Sequence, residues 1–518
     1  MMPMDVMPIV FLAGTDYEMG YQYGKQLAEY IPAVCEDAWV LAVKRGDAKH
    51  PIAASRGHVL KDIAVYRKLL QKHAPEQLEQ IRGMVCALSS AGKRIEESDI
   101  LLIQSGVNRR LAAEEGMAAA HEVKQCCSWS AWGRTTKGGQ LICSDSNDGD
   151  FMPQVCLIVF PDEGSPYVTT AKVGELSDHF AYSFSGLFFG DSGGDGRRLC
   201  DWGYGLRWPS VIQHCVRFAR SAEEAERMIC SWPHAVPENY HLVDKSRVAC
   251  VVELTADLHA VRRPHDHGGG EYLYATNNFV SQAMRAACDP TGEGEYTLHA
   301  GWPGNAGVSR NLEIWQMLTD YHGLVDLEFA KMMWRFPGSP PPLPPSGGWR
   351  DMICRLSNSR VGIVLPDVGE YGEVHICTGP VGRVIYQFRR ETFPIQGAHA
   401  FARIPLASSA DGIVEAMYGQ ACDDVASSHH ALSRLSDSEP RFFGLREIQA
   451  KAHAEVYLGK ESYYRGLLST SCDRLALLSA AASALARAQV YATELKELIL
   501  PPPTSPDQMG LLPWKNAA

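Results

Sequence analysis

Residues Lys124 to Asp150 read KQCCSWSAWGRTTKGGQLICSDSNDGD. Two adjacent cysteines, Cys126 and Cys127, lead into a short apolar run. Gly138 and Gly139 follow, and glycine is the residue that enters positive φ without a steric penalty. A second apolar run, Gln140 to Cys143, delivers three carboxylates: Asp145, Asp148 and Asp150. The pattern predicts a β-hairpin with a thiol at one end and acids near the same end. A thiol beside titratable groups is a candidate nucleophile. The competing reading is plain. A lone cysteine is usually a small buried hydrophobe, and this chain has fifteen.

Working outward, the N-terminal side reads as helical. PIVFLAG (8–14) predicts a short buried strand, and Thr15 with Glu18 fits a capping box. The helix that follows carries Met19, Tyr23, Leu27 and Tyr30 at helical spacing and is expected to run to about Pro32. Gly20 and Gly24 on it would admit a second backbone at close range. Residues 59–91 predict helix with a break at Pro75, and Ser98 is a candidate cap for another helix to about Leu111.

Beyond the hairpin the texture is β-rich to about Phe189. Helix is expected over 206–231 with Ser221 as a cap, and strands at YHLVD, RVACVVELT, LHAVRR and EYLYATNNF. Residues 308–335 read as helix. The Pro-rich PGSPPPLPPSGG (337–348) reads as an exposed crossing. Strands are expected again at SRVGIVLP, EVHICTG and RVIYQF, then helix over about 440–500, a candidate for subunit contacts. The alternation predicts sheet layers with helices packed outside.

Composition bounds the function. The chain has 518 residues, 46% hydrophobic and 21% charged, with a formal net charge of −11. That charge argues against a nucleic-acid or anionic-membrane surface. No run reaches the roughly 18 apolar residues of a membrane span. The start, MMPMDVMPIVFLAG, lacks the basic and apolar regions of a signal peptide, so a cytoplasmic chain with reduced cysteines is expected. His265 with His267, and His429 with His430, lack a second ligand pair nearby in sequence; no metal is expected.

One motif misleads. GDSGG at 190–194 matches the string around the serine of trypsin-like proteases, and AAAH at 118–121 mimics the surroundings of their histidine. His121 and Ser192 are too close in sequence to leave room for a first β-barrel and the aspartate between them.

Four motifs, in one order along about 300 residues, resemble the peptidase C45 family of acyl-CoA:6-aminopenicillanic acid acyltransferase-like proteins. FLAGTDYEMGYQYGKQLAE resembles that family's opening signature. CCSWSAWGRTTKGG resembles its cysteine hairpin, and YATNNF (274–279) its T-N-H-F strand. VSRNLEIW (308–315) is similar to a segment of the related choloylglycine hydrolases and penicillin V acylases. The resemblance fades after about residue 440.

The resemblance implies an α+β fold, the four-layer αββα sandwich of N-terminal-nucleophile hydrolases, here with added C-terminal helices. It divides the chain into a mostly helical propeptide-like segment (1–125), a catalytic core (126–440) and a helical extension (441–518). It implies that the precursor cuts itself between Gln125 and Cys126, giving an α/β heterodimer from one chain, and that the new α-amine serves as base. Counting from Gly133, Thr136 and Gly139 places the nucleophile at Cys126; counting from Ser128 places it at Cys127. Asp148 matches the holder of the α-amine, Asn277 an oxyanion and orienting group, and Arg310 a support for the thiolate.

Two departures stand out. Asp145 occupies the place of the family's turn arginine, and Ser183 that of its second oxyanion asparagine. Turn and strand-end capping compete with catalysis for Asp148 and Asn277, and a surface ion pair for Arg310. Trp129, with Trp132, Phe184, Phe188 and Phe189, is a candidate for an acyl pocket or for core. The expected activity is a cofactor-free amidohydrolase or acyltransferase acting on an N-acyl amide, with hydrolysis or an amine acceptor both open. The alternative is an uncut, non-catalytic binding or scaffold protein.

Overall fold

In the computed structural model the described residues are 7–44, 46–47, 50–51, 56–106, 126–148, 153–194, 199–266, 270–288, 306–335, 358–378, 400–435, 442–469 and 473–499. The Pro-rich stretch, the RVIYQF segment, AAAH, Gln125, Asp150 and His267 lie outside them. The chain forms two compact units. One comprises Leu12–Trp129 and Met152–Ala300, the other Met1–Phe11, Ser130–Phe151 and Gly301–Ala518.

The first of these begins on local signals. Strand β1 (Ile9–Gly14) ends at Thr15, whose Oγ1 accepts from the Glu18 N–H at 3.3 Å while Glu18 Oε2 accepts from the Thr15 N–H at 2.9 Å. That capping box starts α1 (Asp16–Gln26). The helix stops short of Pro32. A turn intervenes, and Pro32 falls in the first turn of α2 (Ile31–Lys44), where its missing N–H is no loss. A small ribbon, β2 (Gly46–Asp47) and β3 (His50–Pro51), precedes α3 (Arg56–His73). Pro75 opens α4 (Pro75–Ser90).

Gly20 is the contact point of α1 with α4: a Cβ there would lie 1.9 Å from the Gln80 carbonyl oxygen. α5 (Glu97–Ser105) is capped by Glu96, not Ser98, because the Asp99 carboxylate reaches back to the Glu96 N–H at 2.7 Å. It ends at Gly106, whose φ of 58° leaves helical geometry, short of the expected Leu111.

After the start of β4 (Cys127–Gly133) the same unit builds an eight-stranded sheet. Its strands lie in sequence order: β1, β6 (Gln154–Pro161), β7 (Tyr167–Lys172), β8 (Ala181–Ser183), β9 (Phe188–Gly193), β10 (Glu238–Val243), β11 (Ala249–Leu254) and β12 (His259–Arg262). From β6 onward each pair is antiparallel. Every residue of β10 and β11 is buried, as strands covered on both faces require. Part of that cover is α6 (Trp208–Phe218), against β8, and α7 (Ala222–Ser231), against β11 and capped by Ser221 as expected. β13 (Tyr272–Ala275) and α8 (Gln282–Cys288) complete the unit.

In the other unit, β4 continues from Ser130 into a sheet ordered β4, β5 (Gly139–Asp148), β14 (Asn358–Leu365), β15 (Glu373–Thr378), β16 (Ala402–Pro405). The hairpin turn uses Gly138 and Gly139 at φ 72° and 77°. It is pinned by the Lys137 N–H donating to Val325 O at 2.9 Å. β5 runs well past the expected Cys143, so Asp145 and Asp148 lie within the strand. The helical reading of 308–335 resolves into α9 (Ala306–Asp320) and α10 (Leu327–Arg335). Trp334 of α10 donates to Ser144 Oγ on β5 at 2.7 Å.

Three long helices follow: α11 (Ala410–Leu432), α12 (Phe442–Leu468) and α13 (Arg474–Ile499). Ser479 and Ser483 of α13 accept the backbone N–H groups of Phe11 and Ile9, each at 2.9 Å. Among the described residues α13 alone is long and apolar enough to cross a membrane, and 61% of that window is buried inside the protein. The architecture is α+β.

Candidate active site

Cys126 stands at the head of β4, buried like Cys127 beside it. Its Sγ lies 3.9 Å from His179 Nε2. His179, in the segment between β7 and β8, sets Nδ1 2.7 Å from Asp191 Oδ2 on β9. The Asp178 carboxylate flanks the other ring nitrogen at 3.4 Å. The imidazole stacks on Trp208, with ring centroids 5.1 Å apart and planes inclined by 21°. Trp208 in turn donates its indole N–H to Asp178 at 3.1 Å, and the Arg207 guanidinium covers its ring at 3.9 Å.

Charge collects around this thiol. Burial works to lower the Lys172 pKa, but Glu175 and Asp178 outweigh it and hold the ammonium above its ordinary value; Cys126 adds to that push. Burial lifts the Glu175 carboxyl to about 7, against the pull of Lys172. Next along β4, Ser128 Oγ lies 3.1 Å from His241 Nδ1. Burial, aided by Arg262, pushes His241 down to about 3, so that ring is neutral.

Asn277 follows β13 rather than lying in it, in a bend tied to β9. Its Nδ2 donates to Gly193 O at 2.9 Å. Ser192 of the GDSGG string donates to Thr276 O at 2.9 Å, so this serine holds the bend. Ser183 ends β8, and its Oγ lies 2.8 Å from Ser185 Oγ in the β8–β9 turn. Trp129 is fully buried, and its Nε1 has no hydrogen-bond partner among the described residues. Trp132, Phe184, Phe188 and Phe189 are buried.

In the other unit, Asp148 closes β5, and its Oδ2 lies 3.6 Å from Arg310 Nη1 on α9, both side chains fully buried. Asp145 meets a second arginine, with Arg360 Nη1 2.8 Å from its Oδ1, again fully buried. The register explains the reach. Gly362 stands opposite Asp145, and Arg360 stands opposite Asn147. Arg360 is thus the diagonal neighbour of Asp145 on one sheet face, with no side chain between them. The structure therefore pairs Asp148 with Arg310, and holds Cys126 and Asn277 in the unit of the eight-stranded sheet.

Sequence reasoning missed His179, Asp191 and Arg360. Nothing in their spacing ties them to Cys126 or Asp145; only β pairing and burial do. A set not foreseen as metal-ligating, Cys200, Asp201 and Asp257, brings one possible donor atom each within 4.8 Å of the others. His429 faces His453 at 6.3 Å between ring centroids.

Residues 209–294 match the family model of acyl-coenzyme A:6-aminopenicillanic acid acyl-transferase. The matched family is the one the sequence motifs resemble. The matched stretch contains YATNNF and Asn277 and leaves out the cysteine hairpin. An uncharacterized protein of Archaeoglobus fulgidus is 23% identical over 269 residues, 49% of this chain and 44% of that relative; the chain thus matches under half of that relative's length.

Among solved structures, an N-acylethanolamine-hydrolyzing acid amidase ortholog of Caenorhabditis elegans is 12% identical with a TM-score of 0.31, covering 48% of this chain and 95% of that one. A mutant conjugated bile acid hydrolase of Clostridium perfringens is 11% identical with a TM-score of 0.33, covering 49% and 89%. Penicillin V acylase from Agrobacterium tumefaciens is 11% identical with a TM-score of 0.31, covering 49% and 83%.

Proposed function

We propose that this chain is a thiol-dependent N-terminal-nucleophile enzyme of the acyltransferase and amidohydrolase kind, folded as an αββα sandwich and activated by its own cleavage before Cys126. The observation that carries this reading is the buried pairing of Asp148 with Arg310. Each was singled out by a different motif, far apart in sequence, and chance matches have no reason to meet in space. The His179 neighbour at 3.9 Å favours Cys126 over Cys127 as nucleophile.

In this mechanism the Cys126 sulfur attacks the carbonyl of an N-acyl amide. The α-amine freed by the cut takes the thiol proton and passes it to the leaving amine. A free α-amino group titrates near pH 8, close to working conditions. The Asn277 amide stabilises the oxyanion, Asp148 holds the α-amine, and Arg310, paired with Asp148, supports the charge of the thiolate. Water or a second amine then takes the acyl group from sulfur. The processed enzyme is a heterodimer of two fragments acting in the cytoplasm.

Intact mass decides the first half: two fragments summing to 57.0 kDa, the larger beginning at Cys126, are expected. A single active chain would reject self-cleavage. Screening N-acyl amides with wild type and Cys126→Ala decides the second half. Hydrolysis that survives the substitution rejects the nucleophile. No turnover of any amide by a folded, uncut chain would instead mark a binding or scaffold protein.

A further inference from the structure

The proposed cut poses a chemical problem. Once the chain is cleaved, the α-amine of Cys126 can accept the thiol proton. Before cleavage that nitrogen is an amide, with no basic lone pair. An ordinary cysteine titrates near 8.5 and is mostly thiol at neutral pH. The uncut chain therefore needs another base within reach of Sγ.

We infer that His179, oriented by Asp191, is the base that takes the Cys126 thiol proton in the uncut chain. The inference rests on Cys126 being the nucleophile and adds the group that arms it. Asp191 Oδ2 is 2.7 Å from Nδ1, which fixes a proton on that nitrogen and turns the Nε2 lone pair toward Sγ, 3.9 Å away. Trp208 lies stacked against the ring and holds its plane. Protonated at Nε2, the imidazolium sits between two carboxylates, Asp191 and, at 3.4 Å, Asp178. Those two acids favour the imidazolium but oppose a thiolate; the Lys172 ammonium, close enough to sense Cys126, offsets that opposition. All these groups lie in one unit of the structure.

The step balances. The thiol proton passes to His179 Nε2, and sulfur adds to the carbonyl carbon of Gln125. The C–N bond to Cys126 breaks as Nε2 returns the proton to that nitrogen, leaving a thioester and a free α-amine. Water then adds to the thioester, releasing the Gln125 carboxylate and the thiol, and the remaining proton goes to the free α-amine.

The test uses full-length precursor made by cell-free synthesis. Two rates are read: self-cleavage by intact mass, and carboxamidomethylation of Cys126 by iodoacetamide in protein not yet cut. His179→Gln keeps a donor to Asp191 but has no base. It should slow whichever step wild type performs by about 100-fold or more, the usual range of general-base catalysis. Added imidazole should recover much of the rate in His179→Gly.

Equal rates in wild type and His179→Gln, absence of both reactions in both proteins included, would overturn the assignment. Slowing that imidazole fails to relieve would do the same, since it marks the ring as packing only. Asp191 is a positioning residue: Asp191→Asn should slow the same step and Asp191→Glu recover part of it, and two equally slow variants remove Asp191 from the assignment. The outcomes separate from those of the proposed function. Cleavage that persists in Cys126→Ala sinks the nucleophile, whatever His179 does. An uncut wild-type chain with His179-dependent alkylation keeps the base and drops the self-cleavage.

Discussion

Arg310 and Asp148 form a buried ion pair, 3.6 Å apart with neither side chain exposed, joining helix α9 to the last residue of β5. In a buried pair, removing one partner leaves the other charge without compensation, at a cost of about 3–5 kcal/mol. Asp148→Asn should therefore lower stability by that order. Adding Arg310→Met should recover much of it, because a neutral pair replaces a stranded charge. If the pair serves catalysis, the stable double variant will still fail to cleave itself. Denaturant unfolding and intact mass on the same samples check both halves, and recovered cleavage in the double variant would reduce the pair to a structural one.

Asp145 and Arg360 offer a comparison on the same strand, at 2.8 Å. Arg360→Lys is not conservative here, since a compact, strongly hydrated ammonium replaces a fully buried guanidinium. It should destabilise by about 2–3 kcal/mol, short of the full loss expected for a buried pair broken outright. Urea unfolding midpoints of the two proteins decide it, and equal midpoints would mean the guanidinium geometry is unimportant.

These pairs mark the boundary of what the sequence reveals. The Thr15 and Glu18 box, the Ser221 cap and the glycine hairpin are local, and each was legible because its partners lie within a few residues. Gly20 was legible as a close-approach site, though not its partner Gln80. Asp145 looked like an acid in place of an arginine. The cation is present but comes from Arg360, more than two hundred residues later, through the β5–β14 register. His179 and Asp191 went unnoticed for the same reason: an isolated histidine carries no spacing signal, and only the antiparallel pairing of β8 with β9 brings it to Asp191. Pro32 misled because a proline that ends one helix reads the same as one that begins the next.

Glycine-to-alanine substitution should have opposite signs at Gly20, on the α1–α4 contact, and at Gly419. A Cβ on Gly20 would meet the Gln80 carbonyl at 1.9 Å, and backbone cannot yield cheaply. Gly20→Ala should destabilise by at least about 1–3 kcal/mol, as overpacked sites do. Gly419 lies inside α11 with nothing within 4 Å of its would-be Cβ. Gly419→Ala should stabilise by about 0.4–1 kcal/mol, because alanine gives up less chain entropy on folding. Thermal unfolding of both variants reads the two signs, and a neutral Gly20→Ala would show that the helices can separate.

Acid should weaken the unit that holds Cys126, and two histidines set the slope. Burial drives His241 down to about 3 and His234 to about 4, from 6.5. Each is neutral when folded and takes a proton on unfolding. Their contribution is thus fully present above pH 6.5 and is lost as pH falls toward those values. Glu175 acts in the opposite sense. Its carboxyl, raised from 4.5 to about 7, favours the folded state most below 4.5 and loses that advantage as pH rises through 7. Between pH 6.5 and 4.5 each group is worth roughly 1.4 kcal/mol per pH unit. Among these three, two histidines against one glutamate contribute a loss of roughly 1.4 kcal/mol per unit on acidification, and Glu18 and His73, both held below their ordinary values, add to it. Replacing His241 by glutamine, which can keep a hydrogen bond to Ser128, should lower the measured slope by roughly 1.4 kcal/mol per pH unit; replacing Glu175 by glutamine should raise it by about as much. Denaturant unfolding at pH 6.5, 5.5 and 4.5 measures all three slopes, and a His241→Gln slope equal to wild type would mean this ring is not held neutral in the fold.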